Sequence, residues 1–142
     1  MGAYLESLAR LNRRNLSRLL PSHGPPLAAP QIILQHYISH RLKREEKIAN
    51  CLNISAPITK QGGELAWLTL KEVVDRAYDD APSMVKKGKY GGLAGQSALA
   101  HLLYLQKQHK VMSSDPKPTI KSRWIKKGPQ LDTLAHSVAP LQ

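Results

Sequence analysis

The chain contains no phenylalanine, and only two tryptophans and five tyrosines among 142 residues. A core must therefore rest on Leu, Ile, Val and Ala. One cysteine, Cys51, excludes an intrachain disulfide and a cysteine-based zinc site, and it points to a reducing compartment. No apolar run approaches the ~18 residues that would span a bilayer. The N-terminus lacks the apolar stretch of a secretory signal. Glu6 stands where a myristoylation motif at Met1-Gly2 would want Ser or Thr. Acidic residues are also scarce: 10 Asp and Glu face 21 Lys and Arg, for a net charge of +11. That excess favours contact with nucleic acid or with an acidic protein surface. An intracellular location is expected, cytoplasmic or mitochondrial. The second option rests on Arg10, Arg13, Arg14 and Arg18, which give the N-terminal helix a transit-like face. The plainer reading is an ordinary amphipathic helix running into an ordered motif.

Hydrophobic spacing divides the chain into helices and short extended pieces. Tyr4, Leu8 and Leu11 repeat at helical spacing with Leu5 beside them, so residues 3–14 read as a helix. Leu19-Leu20 fit a short buried strand. Ser22 to Ala29 is a proline-stiffened loop. Pro30 suits the first turn of a helix running to about Leu52. In it Ile33, Tyr37, His40, Arg44 and Ile48 form one line, with Leu34, Ile38 and Leu52 nearby, and Arg41, Lys43, Glu45, Glu46 and Lys47 on the solvated side. Cys51 falls on the apolar side as a small core residue.

Asn53 to Leu65 reads as a loop. Thr69 followed by Glu72 is a capping box for a helix to Tyr78 that buries Leu70, Val73, Val74 and Ala77. A short turn of helix follows at Ser83–Lys87, and another helix at about Leu93–His109. The glycines at 88, 91, 92 and 95 lack the Gly-Lys-Ser/Thr ending of a phosphate-binding loop. Residues 110–113 and 122–126 read as two strands joined by the turn Asp115-Pro116-Lys117-Pro118. The last dozen residues read as a flexible tail.

Three helices followed by a hairpin give the order of a winged helix, with the third helix in the recognition position. Lys86, Lys87, Lys89, Lys107, Lys110, Lys117, Lys121, Lys126 and Lys127 crowd that helix and its wing. Phosphate neutralisation dominates nucleic-acid affinity, so these lysines are the candidate contacts, Lys86, Lys87, Lys89, Lys107, Lys110 and Lys121 foremost. The exposed part of the helix offers Gln96, Ser97 and Gln108 but no Arg, which suits contact without base reading.

Two phrases carry a family resemblance: Pro21-Ser22-His23-Gly24-Pro25, and the helix Tyr37-Ile38-Ser39-His40-Arg41-Leu42-Lys43-Arg44-Glu45. With Tyr4 to Leu11 before them, and Leu68 to Val74, Ala100 to Leu105 and Lys110-Val111 after, the chain resembles the C-terminal portion of metallo-β-lactamase-fold hydrolases of the β-lactamase-like 2 type. The similarity runs from about residue 3 to residue 126, and Ser22 replaces the usual Gly. The resemblance implies a mainly α fold with a small β-hairpin. Residues 1–29 would be the end of a truncated metallo-β-lactamase domain, 30–127 a winged-helix domain with a long linking helix, and 128–142 a tail.

It further implies a two-zinc hydrolase whose relatives cleave RNA or, in fungi, release polyketides from carrier proteins. Possible partners are thus RNA, an acidic carrier protein and a missing N-terminal hydrolase half, with no membrane. His23 matches a ligand of the second zinc. The His-x-His-x-Asp-His motif of the family is absent from this sequence. Zinc hydrolysis needs about three protein ligands per metal. The expectation is therefore an inactive fragment that binds no zinc stably and has no assignable catalytic residue. A stand-alone winged-helix module binding nucleic acid, or a protein adaptor, are the other readings. His36 and His40 share a helix face at i, i+4 but have no third ligand in sight.

Residues 1–20 carry an apolar helix face that the family covers with a parent sheet, so the isolated chain is expected to self-associate. Sedimentation should show concentration-dependent oligomers, and a monodisperse, cooperatively melting monomer would overturn this.

Overall fold

The computed structural model describes residues 1–52, 67–89 and 91–127. The expected loop at 53–65 and the expected tail lie outside the described residues. The described fold is mostly helical. Four α-helices, Gly2–Asn12 (α1), Pro30–Cys51 (α2), Leu70–Ala77 (α3) and Gly92–Lys107 (α4), accompany a short 3-10 turn at Ser83–Lys86. Three strands complete it: Leu68–Thr69 (β1), Val111–Ser113 (β2) and Arg123–Lys126 (β3). The chain forms two compact units, Met1–Glu46 and Lys47–Gln142, and the division falls within α2.

In the first unit Leu8 and Leu34 are buried, while Tyr4 and Leu11 remain about two-fifths exposed. The Arg41 guanidinium carbon lies 5.5 Å from the centroid of the Tyr4 ring, within cation–π range. Gln31 donates from Nε2 to the carbonyls of Arg14 and Leu16 at 3.3 and 3.4 Å, which ties the start of α2 to the segment after α1. Two expectations fail here. Leu19-Leu20 is not a buried strand: Leu19 makes a single antiparallel bridge to Leu27, and Leu20 is 77% exposed. The pair closes a loop instead of joining a sheet. Glu45 is not solvated but buried, as is Arg44, and Arg41 is half-buried. Charge alone misplaces Glu45 and Arg41, because long polar side chains can bury their stems; Arg44 lies on the line of α2 that the spacing puts with the apolar residues.

The second unit is organised by a sheet in the order β1-β3-β2, all antiparallel. The expected hairpin is present as β2 and β3. The third strand, β1, was not expected. It pairs Leu68 with Trp124 and Thr69 with Arg123, so β3 becomes the central strand. Trp124 is fully buried and belongs to one cluster with Ile48, Leu70, Val73, Val74, Ala98, Leu102 and Leu105. A chain without Phe thus centres its core on one indole. Cys51 joins the same cluster. Helix α4 ends at Lys107, two residues before the expected limit, and His109 adopts a positive φ of 58° just beyond it.

The capping box at α3 is formed. Glu72 accepts from the Thr69 backbone N–H and hydroxyl, both at 2.8 Å, and the Thr69 hydroxyl accepts from the Glu72 N–H at 3.3 Å. The backbone N–H of Thr69, then its hydroxyl, hold the Glu72 carboxyl below its ordinary value of 4.5. A lowered folded-state pKa contributes stability above the unfolded value, and that stability is lost as pH falls through the folded value. Glu72→Gln should therefore flatten the loss of stability that the natural chain shows on acidification below about pH 4.5. Urea midpoints measured at neutral and acidic pH test this. An unchanged acid dependence in the variant would rule out the role.

Candidate functional site

His23 sits at the tip of the loop that the Leu19–Leu27 bridge closes, with backbone hydrogen bonds of 3.0 and 2.9 Å at its base. Gly24 takes a φ of 91°, and no atom lies within 4 Å of where its Cβ would be; glycine is needed there for conformation, not for space. His23 is exposed. Among the described residues no group of three or more His, Cys, Asp or Glu could hold a metal ion. His36 and His40 lie exposed on α2, His101 is buried in α4, and His109 is exposed after it. His136 lies outside the described residues. The described residues do not by themselves make up a zinc site.

The candidate lysines separate into three places. Lys86 is half-buried, and its Nζ donates to the Tyr78 carbonyl at 3.0 Å, a structural tie between the 3-10 turn and the end of α3. Lys107 and Lys110 are exposed at the C-terminal end of α4. A cation there is favoured by the helix dipole whatever else it does. Lys87, Lys89 and Lys121 converge at the opposite end. They line two hollows that share Lys89 and Ile120. One, of about 460 Å³, is bounded by Thr69, Leu70 and Lys71 with Lys121. The other, of about 440 Å³, is bounded by Lys87, Gly88, Gly92, Leu93, Gly95 and Gln96. A helix of 16 residues is about 24 Å long, which separates the two exposed groups by that order.

Sequence reasoning missed the apolar half of this cleft. Leu93 is 69% exposed and Ile120 is 40% exposed. It also missed Lys71, whose ammonium pairs with Asp75 one helical turn away. An isoleucine inside the polar run 113–122 was the available signal. The glycine-rich stretch proves to be a packing device. A Cβ on Gly91 would lie 2.9 Å from Val74 Cγ2, and one on Gly92 only 2.5 Å from the Lys87 carbonyl oxygen. At φ of 82° and 56°, both positions favour glycine as well.

Relatives of known structure share this fold. A metallo-β-lactamase family protein from Thermus thermophilus superposes with a TM-score of 0.63 at 19% identity, over 89% of this chain and 33% of its own. A β-lactamase domain protein from Burkholderia ambifaria gives the same values. In sequence, 83 residues are 30% identical to the β-lactamase-like protein 2 homolog of Caenorhabditis elegans, covering 58% of this chain and 25% of that protein. The resemblance is to metallo-β-lactamase-family proteins. It agrees with the likeness that the His-Gly-Pro and α2 phrases carry. The chain spans about a quarter to a third of the length of these relatives. No protein-family model matches it.

Within this metallo-β-lactamase-like chain, Cys51 is the remaining group of chemical interest. Burial pushes its thiol up to about 11, against a lowering by Arg76, and its Sγ donates to the Ile48 carbonyl at 3.1 Å. The thiolate is the reactive form, so Cys51 is a core residue and not a nucleophile. Alkylation of the folded chain near neutral pH should run about a hundredfold slower than alkylation of the unfolded chain. Comparable rates, read by intact mass over time, would show that the thiol is accessible.

Proposed function

We propose that this chain is the C-terminal part of a two-zinc, metallo-β-lactamase-fold hydrolase of endoribonuclease-like type, with residues 30–127 acting as a winged-helix domain that assists substrate binding. The observation that carries the reading is the 30% identity to a β-lactamase-like protein 2 homolog over 83 residues, supported by the likeness of fold to two longer metallo-β-lactamase-family proteins. The winged-helix part is supported by topology. Helix α3, helix α4 and a hairpin follow one another, and a short strand before α3 pairs with the last strand of the hairpin. Helix α4 buries Ala94, Ala98, Leu102 and Leu105, while Leu93, Gln96 and Lys107 are exposed.

In this reading His23 supplies one ligand to a metal whose other ligands come from residues not in this sequence. The described residues hold no group that could bind a metal by itself. The chain on its own is then catalytically silent, and its work is to shape and charge the surroundings of a site completed elsewhere. A carrier-protein thioesterase of the same fold would use the chain in the same way with a different substrate.

The transcript start in the source cells, paired with the intact mass of the protein, tests this. A longer product carrying His-x-His-x-Asp-His in frame is expected, and in it His23→Ala should lower bound zinc. The purified chain should hold no stoichiometric zinc and hydrolyse neither RNA nor thioesters. If translation begins at Met1, the hydrolase reading falls and a stand-alone binding module takes its place.

A further inference from the structure

We propose that Ser17 is a phosphoacceptor for an arginine-directed protein kinase, and that the arginines around it then hold the phosphate. The inference does not depend on the chain's belonging to a hydrolase.

Charge is the first observation. Arg10, Arg13, Arg14 and Arg18 stand in one short stretch of chain, and all four are exposed. Glu6 is the only acidic residue before Glu45. Among the described residues none of the four guanidinium groups has a carboxylate partner. Arg13 and Arg14 precede Ser17 by four and three residues. Cations placed there, shortly before the acceptor, form a charge pattern by which protein kinases choose their substrates.

Conformation is the second observation. A kinase cleft takes its substrate as an irregular or extended segment, not as a helix. Helix α1 ends at Asn12 and the bridge of the next loop begins at Leu19, so residues 13–18 belong to neither helix nor strand. Ser17 is exposed within them. Few bonds tie the segment down. Gln31 Nε2 reaches the carbonyls of Arg14 and Leu16 at 3.3 and 3.4 Å, the long end of hydrogen bonding, and the Leu16 N–H donates to the Arg14 carbonyl at 2.9 Å. Little has to break for the segment to be drawn out. The serines that follow Lys110 by three and four residues differ in this respect. Ser113 lies in β2. The Ser114 hydroxyl donates to the Asp115 carboxylate at 2.9 Å and accepts from the Arg123 N–H at 3.0 Å.

In the transfer, the Ser17 hydroxyl oxygen attacks the γ-phosphorus of ATP, and its proton passes to a carboxylate of the kinase. The bond from that phosphorus to the oxygen bridging to the β-phosphate breaks, and ADP leaves. The product carries about two negative charges and three acceptor oxygens in the midst of the arginines. Their forked donors match phosphate in geometry, so pairing gives the segment ties that it otherwise lacks.

The test is incubation of the folded full chain with ATP and one of two kinases. One selects arginine before the serine, and the other selects carboxylates after it. Phosphate is located by mass spectrometry of the digested product. The first kinase should modify Ser17 and the second should not. Ser17→Ala should abolish the modification, and Arg14→Ala should slow it about tenfold. Both residues are exposed and lie outside the helices, so the variants should keep the natural chain's melting transition, which circular dichroism checks. No phosphate at Ser17, an equal rate in Arg14→Ala, or faster modification of Ser113 or Ser114 would overturn the assignment. On the phosphorylated chain, amide hydrogen exchange across residues 13–18 should slow. Unchanged or faster exchange would overturn the holding of the phosphate by the arginines.

Discussion

Helix α4 approaches α3 closely at its first residues, and much of the second unit follows from that contact. Val74 occupies the space that a side chain on residue 91 would need, and the Lys87 carbonyl does the same at residue 92. Both positions also hold the backbone at positive φ. A non-glycine residue there would face strain of about 1–2 kcal/mol from conformation alone, before the clash is counted. Because the two glycines allow the approach, Ala94 and Ala98 can lie buried along the same helix, and the longer Leu102 and Leu105 reach the cluster around Trp124 further along. Small residues at one end and large ones at the other set how α4 lies on the core.

The same contact places the cleft. Lys87 and Gly88 precede Gly91 and Gly92, and Leu93 and Gln96 follow them, so cation and aliphatic side chain line one hollow. The end of the β2–β3 loop supplies the facing wall through Ile120 and Lys121. That loop is anchored because β3 is the central strand: Trp124 and Arg123 pair with Leu68 and Thr69 on one side, and Trp124 to Lys126 pair with β2 on the other. Lysines that look scattered along the sequence are thereby sorted. Lys86 turns inward to a carbonyl, Lys107 and Lys110 stay at one end of α4, and Lys87, Lys89 and Lys121 gather at the other.

Local rules made the helices legible. The capping box at Thr69, the proline at position 30 and the apolar spacing of α1 and α4 mark elements whose limits fall within about two residues of expectation. What escaped local reading is set by partners distant in sequence. Strand β1 has two residues, too few to show any alternation, and exists because β3 offers it a ladder. Leu20 is apolar yet exposed, because the loop closes at Leu19 and Leu27 and no sheet follows. Glu45 is charged yet buried, which spacing along α2 could not announce. At the site, His23-Gly24-Pro25 was legible as a motif, but a ligand set is a convergence of residues, and no such convergence exists among the described ones. The apolar half of the cleft was hidden for the same reason: Leu93 and Ile120 meet only through the fold.

Family likeness and functional content therefore separate in this chain. The likeness rests on a segment matching a quarter of one relative and a third of two others, and that segment carries a single histidine in a metal-family motif. Chemistry that requires several ligands at one point cannot be read from a segment that brings one. What the segment does bring together is positive charge and exposed aliphatic carbon. Neither belongs to the core cluster: Leu93 is 69% exposed, and Ile120 lies outside the cluster around Trp124. Features that do nothing for the fold, and that the fold nonetheless holds in one place, are where the chain's own contribution to binding is to be sought.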